Sequence, residues 1–251
     1  MKEVNSVTLP KTLAELLTLP TAAFVEGAVM DYLTRVCDGL PHTTTRFDEW
    51  GNLVVRYRNA PPKGHRAVVF TAHTDHPGFC SLRMLGKGRL LAAFRGWVEP
   101  EYFVGTAVKF WSGGKWVPGV VRKITKAAKM YRYIGRTARP EEVEIAIKSD
   151  VEPNVPGMWD LPDPLLRDGM VRARGCDDIA GVAALLEMLV RVAKKRAKGE
   201  VWGLFTRAEE VGFIGAIGAA KSGTIPRKLP IVAIETSKAL INAKIGDGPI
   251  L

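Results

Sequence analysis

Apolar positions recur at threes and fours between Thr12 and Cys37: Leu13, Leu16 and Leu17, then Phe24, Val25, Val29, Tyr32, Leu33 and Val36. That period predicts helix. Pro20 divides it into two pieces, because proline ends or kinks a helix. The period then shortens. Leu53-Val54-Val55-Arg56-Tyr57 reads as a strand after the turn-forming stretch Phe47-Asp48-Glu49-Trp50-Gly51-Asn52. Beyond the break at Pro61-Pro62-Lys63-Gly64, Ala67-Val68-Val69-Phe70-Thr71-Ala72 is continuously apolar, as a strand buried on both faces should be. It ends at His73-Thr74-Asp75-His76-Pro77-Gly78.

From about Leu82 the texture changes to short strand candidates: Leu90 to Phe94, Ala107 to Trp111, Val117 to Val121, Tyr131-Arg132-Tyr133-Ile134, and Val143 to Ile147. Ser112-Gly113-Gly114 predicts a hairpin turn. No long helical period occurs across 83–158, and a proline-rich return follows over 155–164. Helical spacing resumes with Val182, Leu185, Leu186, Leu189 and Ala193, closed by Lys194, Lys195, Arg196 and Lys198 where cations favour a helix C-terminus. Val201 to Thr206 predicts a second buried strand, Ile231 to Ile234 a third, and 211–220 a helix between them. Strands alternating with helices imply an α/β fold with a mostly parallel sheet flanked by helices. The expected division is a discontinuous α/β unit, 1–81 with 165–251, around an inserted β-rich domain over 82–164.

Composition narrows the class. At 251 residues, 47% hydrophobic and 25% charged, the chain is globular in character, and no apolar run reaches the length of a membrane span. Its start lacks the layout of a secretory signal. Cys37, Cys80 and Cys176 are scattered and without CxxC spacing, so a disulfide framework or thiolate zinc site is not expected and a reducing, cytoplasmic setting is. The net charge is +10, and segment 83–139 holds thirteen Lys and Arg against two acids, Glu99 and Glu101. A solvated face, nucleic acid, an acidic substrate or an acidic subunit surface would each account for that excess.

The candidate chemistry collects where the strands end. His73 and Asp75 close one strand, Glu209 and Glu210 follow another, Glu235 ends a third, and Asp177-Asp178 opens the long helix. In α/β sheets ligands bind outside the carboxyl ends of the strands. Several carboxylates gathered there repel one another, and a bound cation relieves the repulsion. Mixed nitrogen and oxygen ligands suit zinc, cobalt or manganese. Each residue also has a plainer reading: a packed strand-end histidine, solvated acids at a helix start, or, for His76, a turn or pocket-wall residue.

Taken together, His73-Thr74-Asp75, Asp177-Asp178 with Gly181, Glu209-Glu210-Val211-Gly212 and Glu235 resemble the dinuclear metallo-aminopeptidases of the glutamyl and deblocking (tetrahedral, endoglucanase-like) branch. Asp48-Glu49-Trp50-Gly51-Asn52-Leu53 extends the resemblance toward the start of the chain. It implies a zinc-exopeptidase-like fold whose insertion is a small β-barrel-like lid and oligomerisation domain. It implies two divalent metal ions, with His73 and Glu235 on the first, Glu210 on the second and Asp177 shared. Asp75 would orient His73, Asp178 would hold the neighbouring backbone through a cis peptide, and Glu209 would be the general base of a metal-activated water. The implied substrate is a peptide attacked at its N-terminus, and the implied assembly a homo-oligomer, from dimer to dodecamer. No membrane partner is expected, nor nucleic acid, since 83–139 carries no recognised nucleic-acid motif.

Two departures stand out. The last metal position of this branch is commonly aspartate, where this chain has Glu235. The branch also takes a further histidine from beyond the segment of Glu235, whereas the histidines here are His42, His65, His73 and His76. The expectation is therefore a C-terminally shortened piece that binds a second ion weakly and turns over slowly or not at all. The competing readings are a related carboxypeptidase or deacylase using the same metals, and a non-catalytic remnant that binds through its basic β domain.

Overall fold

The structure, a computed structural model, describes residues 9–129, 138–237, 239, 241, 244, 246, 248 and 249. The strand candidate at Tyr131 to Ile134 lies outside them. Two helices open the chain, α1 (Leu9–Thr18) and α2 (Gly27–Asp38), separated at Pro20 as the periodicity requires. Then come β1 (Thr43–Phe47), β2 (Leu53–Asn59) and β3 (Val68–His73), and a run of strands: β4 (Gly78–Gly86), β5 (Arg89–Arg95), β6 (Ala107–Ser112), β7 (Lys115–Lys129), β8 (Ala138–Ile147) and β9 (Pro156–Trp159). A small hairpin, β10 (Leu165–Arg167) with β11 (Met170–Arg172), leads into α3 (Cys176–Lys194), β12 (Gly199–Thr206), α4 (Ile214–Ser222) and β13 (Ile231–Ala233).

The main sheet has the order β1-β2-β12-β3-β13. It is mixed rather than mostly parallel: β3 pairs in parallel with β12 and with β13, while β2 runs antiparallel to both β12 and β1. The three apolar strands recognised from their texture form the parallel part. The five residues 48–52 joining β1 to β2 are too few for a crossover, so those strands can only meet antiparallel. The α3 stripe packs on this sheet with α1 and α2, burying Leu16, Leu33, Val182, Leu185, Leu186 and Leu189 with Leu53, Val55 and Phe205. Each such side chain contributes roughly 1.5–3 kcal/mol by leaving water. A second expectation also needs correction. Segment Ile231 to Ile234 is not a buried strand: β13 sits at the sheet edge, with Ile231 and Val232 exposed.

The other strands close into a barrel, β4-β5-β8-β7-β6-β9. Its core holds a cluster of aromatic rings, Phe79, Phe94, Phe103, Phe110 and Trp159, with neighbouring centroids 4.8–6.2 Å apart in tilted and edge-on contact, packed among aliphatic side chains such as Leu90, Val121, Val143 and Ile145. Gly113 and Gly114, at φ 59° and 74°, make the two-residue turn between β6 and β7, whose type demands positive φ at both positions. The stretch read as a proline-rich return contains β9, which bonds to both β4 and β6 and so closes the barrel. Charge on the basic segment is met by acids that lie just past it. Glu144 of β8 accepts from Arg89 Nε at 2.8 Å and Lys123 Nζ at 3.2 Å, and Lys126 Nζ lies 3.2 Å from Glu141.

Candidate metal centre

Strand register brings the acids together. In the parallel ladder Thr206 of β12 lies opposite His73 of β3, and both the Thr74 N–H and its hydroxyl donate to the Thr206 carbonyl at 2.9 Å. The segment that leaves β12, Arg207 to Glu210, therefore starts beside His73. On the other side Ala233 of β13 pairs with Thr71, and the Ile234 N–H donates to the Thr71 carbonyl at 2.8 Å. Two further residues of extended chain carry Glu235 to the same level. Parallel strands end at the same edge, which is why three distant segments converge.

The fourth contribution comes from α3. Gly175, at φ 66°, turns the chain into the helix, and regular helical dihedrals begin only after Asp177 and Asp178, whose shared peptide is cis. Asp178 is fully buried and its Oδ2 accepts the His73 N–H at 3.2 Å. Gly181 has to be glycine, because a Cβ there would collide with the Asp178 carboxylate.

His73 is the centre of the arrangement. It is 3% exposed, and its Nδ1 donates to the Asp75 carbonyl at 3.1 Å with Asp75 Oδ1 at 3.5 Å. That fixes Nε2 outward, where three carboxylates face it: Asp177 Oδ1 at 3.2 Å, Glu235 Oε1 at 3.7 Å and Glu209 Oε2 at 3.8 Å. Ligand atoms of His73, Asp177 and Glu235 all lie within 4.8 Å of one another. Asp75 is fully buried, and its two carboxylate oxygens accept the backbone N–H groups of Glu209 (3.0 Å) and Glu210 (3.2 Å). Glu210 is thus held at its backbone, while its side chain joins no ligand group among the described residues.

The electrostatics follow from crowding and burial. Burial alone would lower the His73 pKa, but the contacts to Asp177 and Asp75 outweigh it and push it up to about 11. The same imidazole holds Asp177 below the ordinary carboxylate range. Burial raises the other acids: Asp178 and Glu210 to about 8, Glu235 to about 7, and Glu209 upward in the same direction. Negative charge is concentrated at one point with a single imidazole to offset it.

Two features escaped the sequence reading. Asn52, assigned to turn chemistry, is fully buried and reaches across to Arg207 and Gly215. Glu26, buried at the start of α2, bonds to the Ala208 backbone and the Arg207 side chain. A lone acid in a helical stripe gives no signal of that in sequence. His76 is buried, with Nε2 unpartnered among the described residues, and burial lowers its pKa to about 4. A cleft of about 690 Å³ shares Glu26 and Arg207 with this region, but none of His73, Asp177, Glu209 and Glu235 lines it.

A candidate aminopeptidase of Acetivibrio thermocellus is 29% identical over 185 residues, covering 70% of this chain and 52% of that protein. The chain thus spans about half the length of that curated relative. Among solved structures, the TET1 peptidase of Pyrococcus horikoshii, which can assemble into a tetrahedron or a large octahedral shell, superimposes with a TM-score of 0.70 at 22% identity, over 97% of this chain and 73% of that one. Aminopeptidase APDkam598 of the archaeon Desulfurococcus kamchatkensis gives 0.70 at 19% identity, over 97% and 65%. These likenesses establish the fold, and no helix among the described residues is long and apolar enough to cross a membrane. The family model for M42 glutamyl aminopeptidases matches residues 51–250, a span that takes in His73, Asp75, Asp177, Glu209, Glu210 and Glu235, and the chain belongs to that family.

Proposed function

We propose that the protein carrying these residues is a metal-dependent exopeptidase that removes N-terminal residues from peptides, using a water activated by two divalent ions, zinc or else cobalt or manganese. The observation behind this reading is the outward Nε2 of His73 with three carboxylates, from three different segments, 3.2–3.8 Å away. That donor set fits one divalent ion, held by His73, Asp177 and Glu235. Asp177 would be shared with a second ion on Glu210, although no third ligand atom joins that pair among the described residues. When bound, such ions act as Lewis acids that acidify water and polarise a peptide carbonyl.

The remaining chemistry belongs to the side chains. Asp75 orients His73 so that Nε2 is the free ligand atom, and the same carboxylate positions the backbone of Glu209 and Glu210. Glu209 is the proposed general base. It stands beside the ligands without being one, and its raised pKa brings it nearer the range where a carboxylate both accepts and returns a proton. The discontinuous unit 1–81 with 165–251 would then carry the chemistry, and 82–164, whose barrel strands run from Gly78 to Trp159, would form the lid and assembly surface. The edge-on pair Trp111 and Trp116 on β6 and β7 suits subunit contact.

The test combines metal uptake with substrate choice. Wild-type protein should take up cobalt or zinc to a level lost in His73→Ala, and with metal should cleave free peptides in preference to N-acetylated ones. Metal uptake equal in the two proteins would overturn the centre. Faster cleavage of acetylated peptides would favour a deacylase.

A further inference from the structure

Four consecutive backbone N–H groups, from Arg207 to Glu210, are each accepted by a buried side chain from elsewhere in the chain. Arg207 N–H donates to Asn52 Oδ1 at 3.1 Å, Ala208 N–H to Glu26 Oε1 at 3.0 Å, and Glu209 and Glu210 to the two oxygens of Asp75. Ordinary loops bond to their own backbone or to water; this one is fastened by three separate segments, those that lead into α2 and β2 and the one that leaves β3. The fastening is itself braced. Asn52 Nδ2 donates to Asp48 Oδ2 at 2.8 Å and to the Gly215 carbonyl at 2.9 Å. Glu26 also accepts from Phe24 N–H at 2.8 Å and pairs with Arg207 Nε at 2.9 Å. Ala208 meanwhile takes the left-handed conformation, φ 51°, which a residue with a Cβ adopts only where its surroundings impose it. Gly215 leaves the space that this requires, since a Cβ there would collide with Asn52 Oδ1 and crowd the Arg207 backbone.

We propose that Glu26 and Asn52 are positioning residues for Glu209, which they hold in line with His73 by fixing the two residues that precede it. This rests on the peptidase reading for its catalytic consequence, but not for its structural one. A fully buried carboxylate is costly unless its lone pairs are used, and three donors converge on Glu26. Two of them, Ala208 N–H and Arg207 Nε, belong to the segment entering the candidate base. Asn52 uses its donor and its acceptor in the same cause: the amide ties the loop to α4 and to the turn after β1. The Asp48 to Asn52 stretch, readable as a turn, thus acquires a second task at the site.

The two side chains are separable by experiment. In Glu26→Gln one oxygen is kept for Phe24 and Ala208, while an amide hydrogen now faces Arg207 Nε. In Glu26→Ala the Ala208 N–H loses its acceptor as well, and in Asn52→Ala the Arg207 N–H does. Amide hydrogen exchange read at residues 207–210, beside Leu204 and Phe205 of β12 as the global reference, should accelerate about tenfold or more in both alanine variants with the β12 amides unchanged, and less in Glu26→Gln. Cobalt affinity at the His73 cluster should move by less than about threefold, because none of its ligands is touched. On a cleaved peptide kcat should fall about tenfold or more while KM stays within about twofold, the mark of a misplaced catalytic group rather than lost binding. Unchanged exchange at 207–210 in both alanine variants overturns the proposal. So does faster exchange spread equally through β12, which would assign Glu26 and Asn52 to general stability. Exchange and cobalt binding need no turnover, so the clamp is tested whether or not this chain cleaves a peptide, and failure of the peptidase reading leaves that test intact. If the alanine variants do not fold, Glu26→Gln decides through Ala208, because its accepting side chain has lost the Arg207 Nε pair: faster exchange there with the β12 amides unchanged supports the clamp, and unchanged exchange overturns it.

Discussion

The barrel and the α/β half solve the burial of polar groups in opposite ways. Among the described residues, the only polar side chains that the barrel strands bury are the hydroxyls of Ser81 and Ser112, and aromatic and aliphatic side chains fill the rest of the core. The α/β half buries Glu26, Asn52, His73, Asp75, His76, Asp178 and Glu187. A closed barrel has no free edge and needs no polar group inside. An open sheet with parallel strands has an edge where strand ends, loops and helix starts meet, and polar side chains are held there at a cost in folding free energy. Candidate function sits where the molecule tolerates that cost, while on the barrel Arg89 and Lys123 pair with Glu144 across strands.

This contrast can be broken at several points. The largest effect is expected at the base: Glu209→Gln should reduce turnover by about a hundredfold or more, the scale of removing a general base, with the folded structure and metal uptake intact. In the barrel, Phe79→Ala should destabilise the protein by about 3–5 kcal/mol in denaturant unfolding, since it empties the centre of the ring cluster. Its signature is a shift of the midpoint with metal uptake at the His73 cluster unchanged below the transition. A smaller loss, about 1–3 kcal/mol, should follow Gly181→Ala, which forces the Asp178 carboxylate to move. Unlike the barrel variant, it should weaken cobalt binding as well, because Asp178 holds the His73 backbone.

A finer test uses pH. Burial raises the Glu26 pKa above its ordinary 4.5 despite Arg207. The folded protein therefore holds that proton more tightly than the unfolded chain does. The stabilisation is fully present below about pH 4.5 and is lost as pH rises through the higher folded value. The stability of wild type relative to Glu26→Gln should accordingly fall as pH is raised from about 4 toward neutrality; a difference that grows with pH would contradict the assignment. The smallest effect is on thiol reactivity. Burial pushes Cys37 up to about 12 and raises Cys80, one in each half, whereas Cys176 is only partly buried. Cys176 should label first with a thiol reagent near neutral pH, and the other two only on unfolding.

Much of the α/β half was legible because its signals are local. The stripes of α1, α2 and α3, the apolar runs of β3 and β12 and the break at Pro20 all follow from period and composition. Sheet direction was less accessible, since the antiparallel pairing of β2 with β12 is long-range and no single stretch reveals it. The same limit hid β9, four residues in a proline-rich passage that become a strand only because β4 and β6 flank them. Ile231 to Ile234 shows the converse error, where an apolar run suggested burial and edge position denied it.

For the site, sequence alone determined which side chains were available and that each stood at a strand end or helix start: His73 and Asp75, Asp177 and Asp178, Glu209 and Glu210, and Glu235. Chain order and residue type are one-dimensional properties, and ligand chemistry depends on type. Only tertiary structure decided the distances around His73 Nε2, the assignment of both Asp75 oxygens to backbone amides, and the recruitment of Glu26 and Asn52 from residues more than 150 positions away. Those are consequences of strand register and loop packing, which arise from the sum of contacts over the whole core and are written in no one segment of the chain.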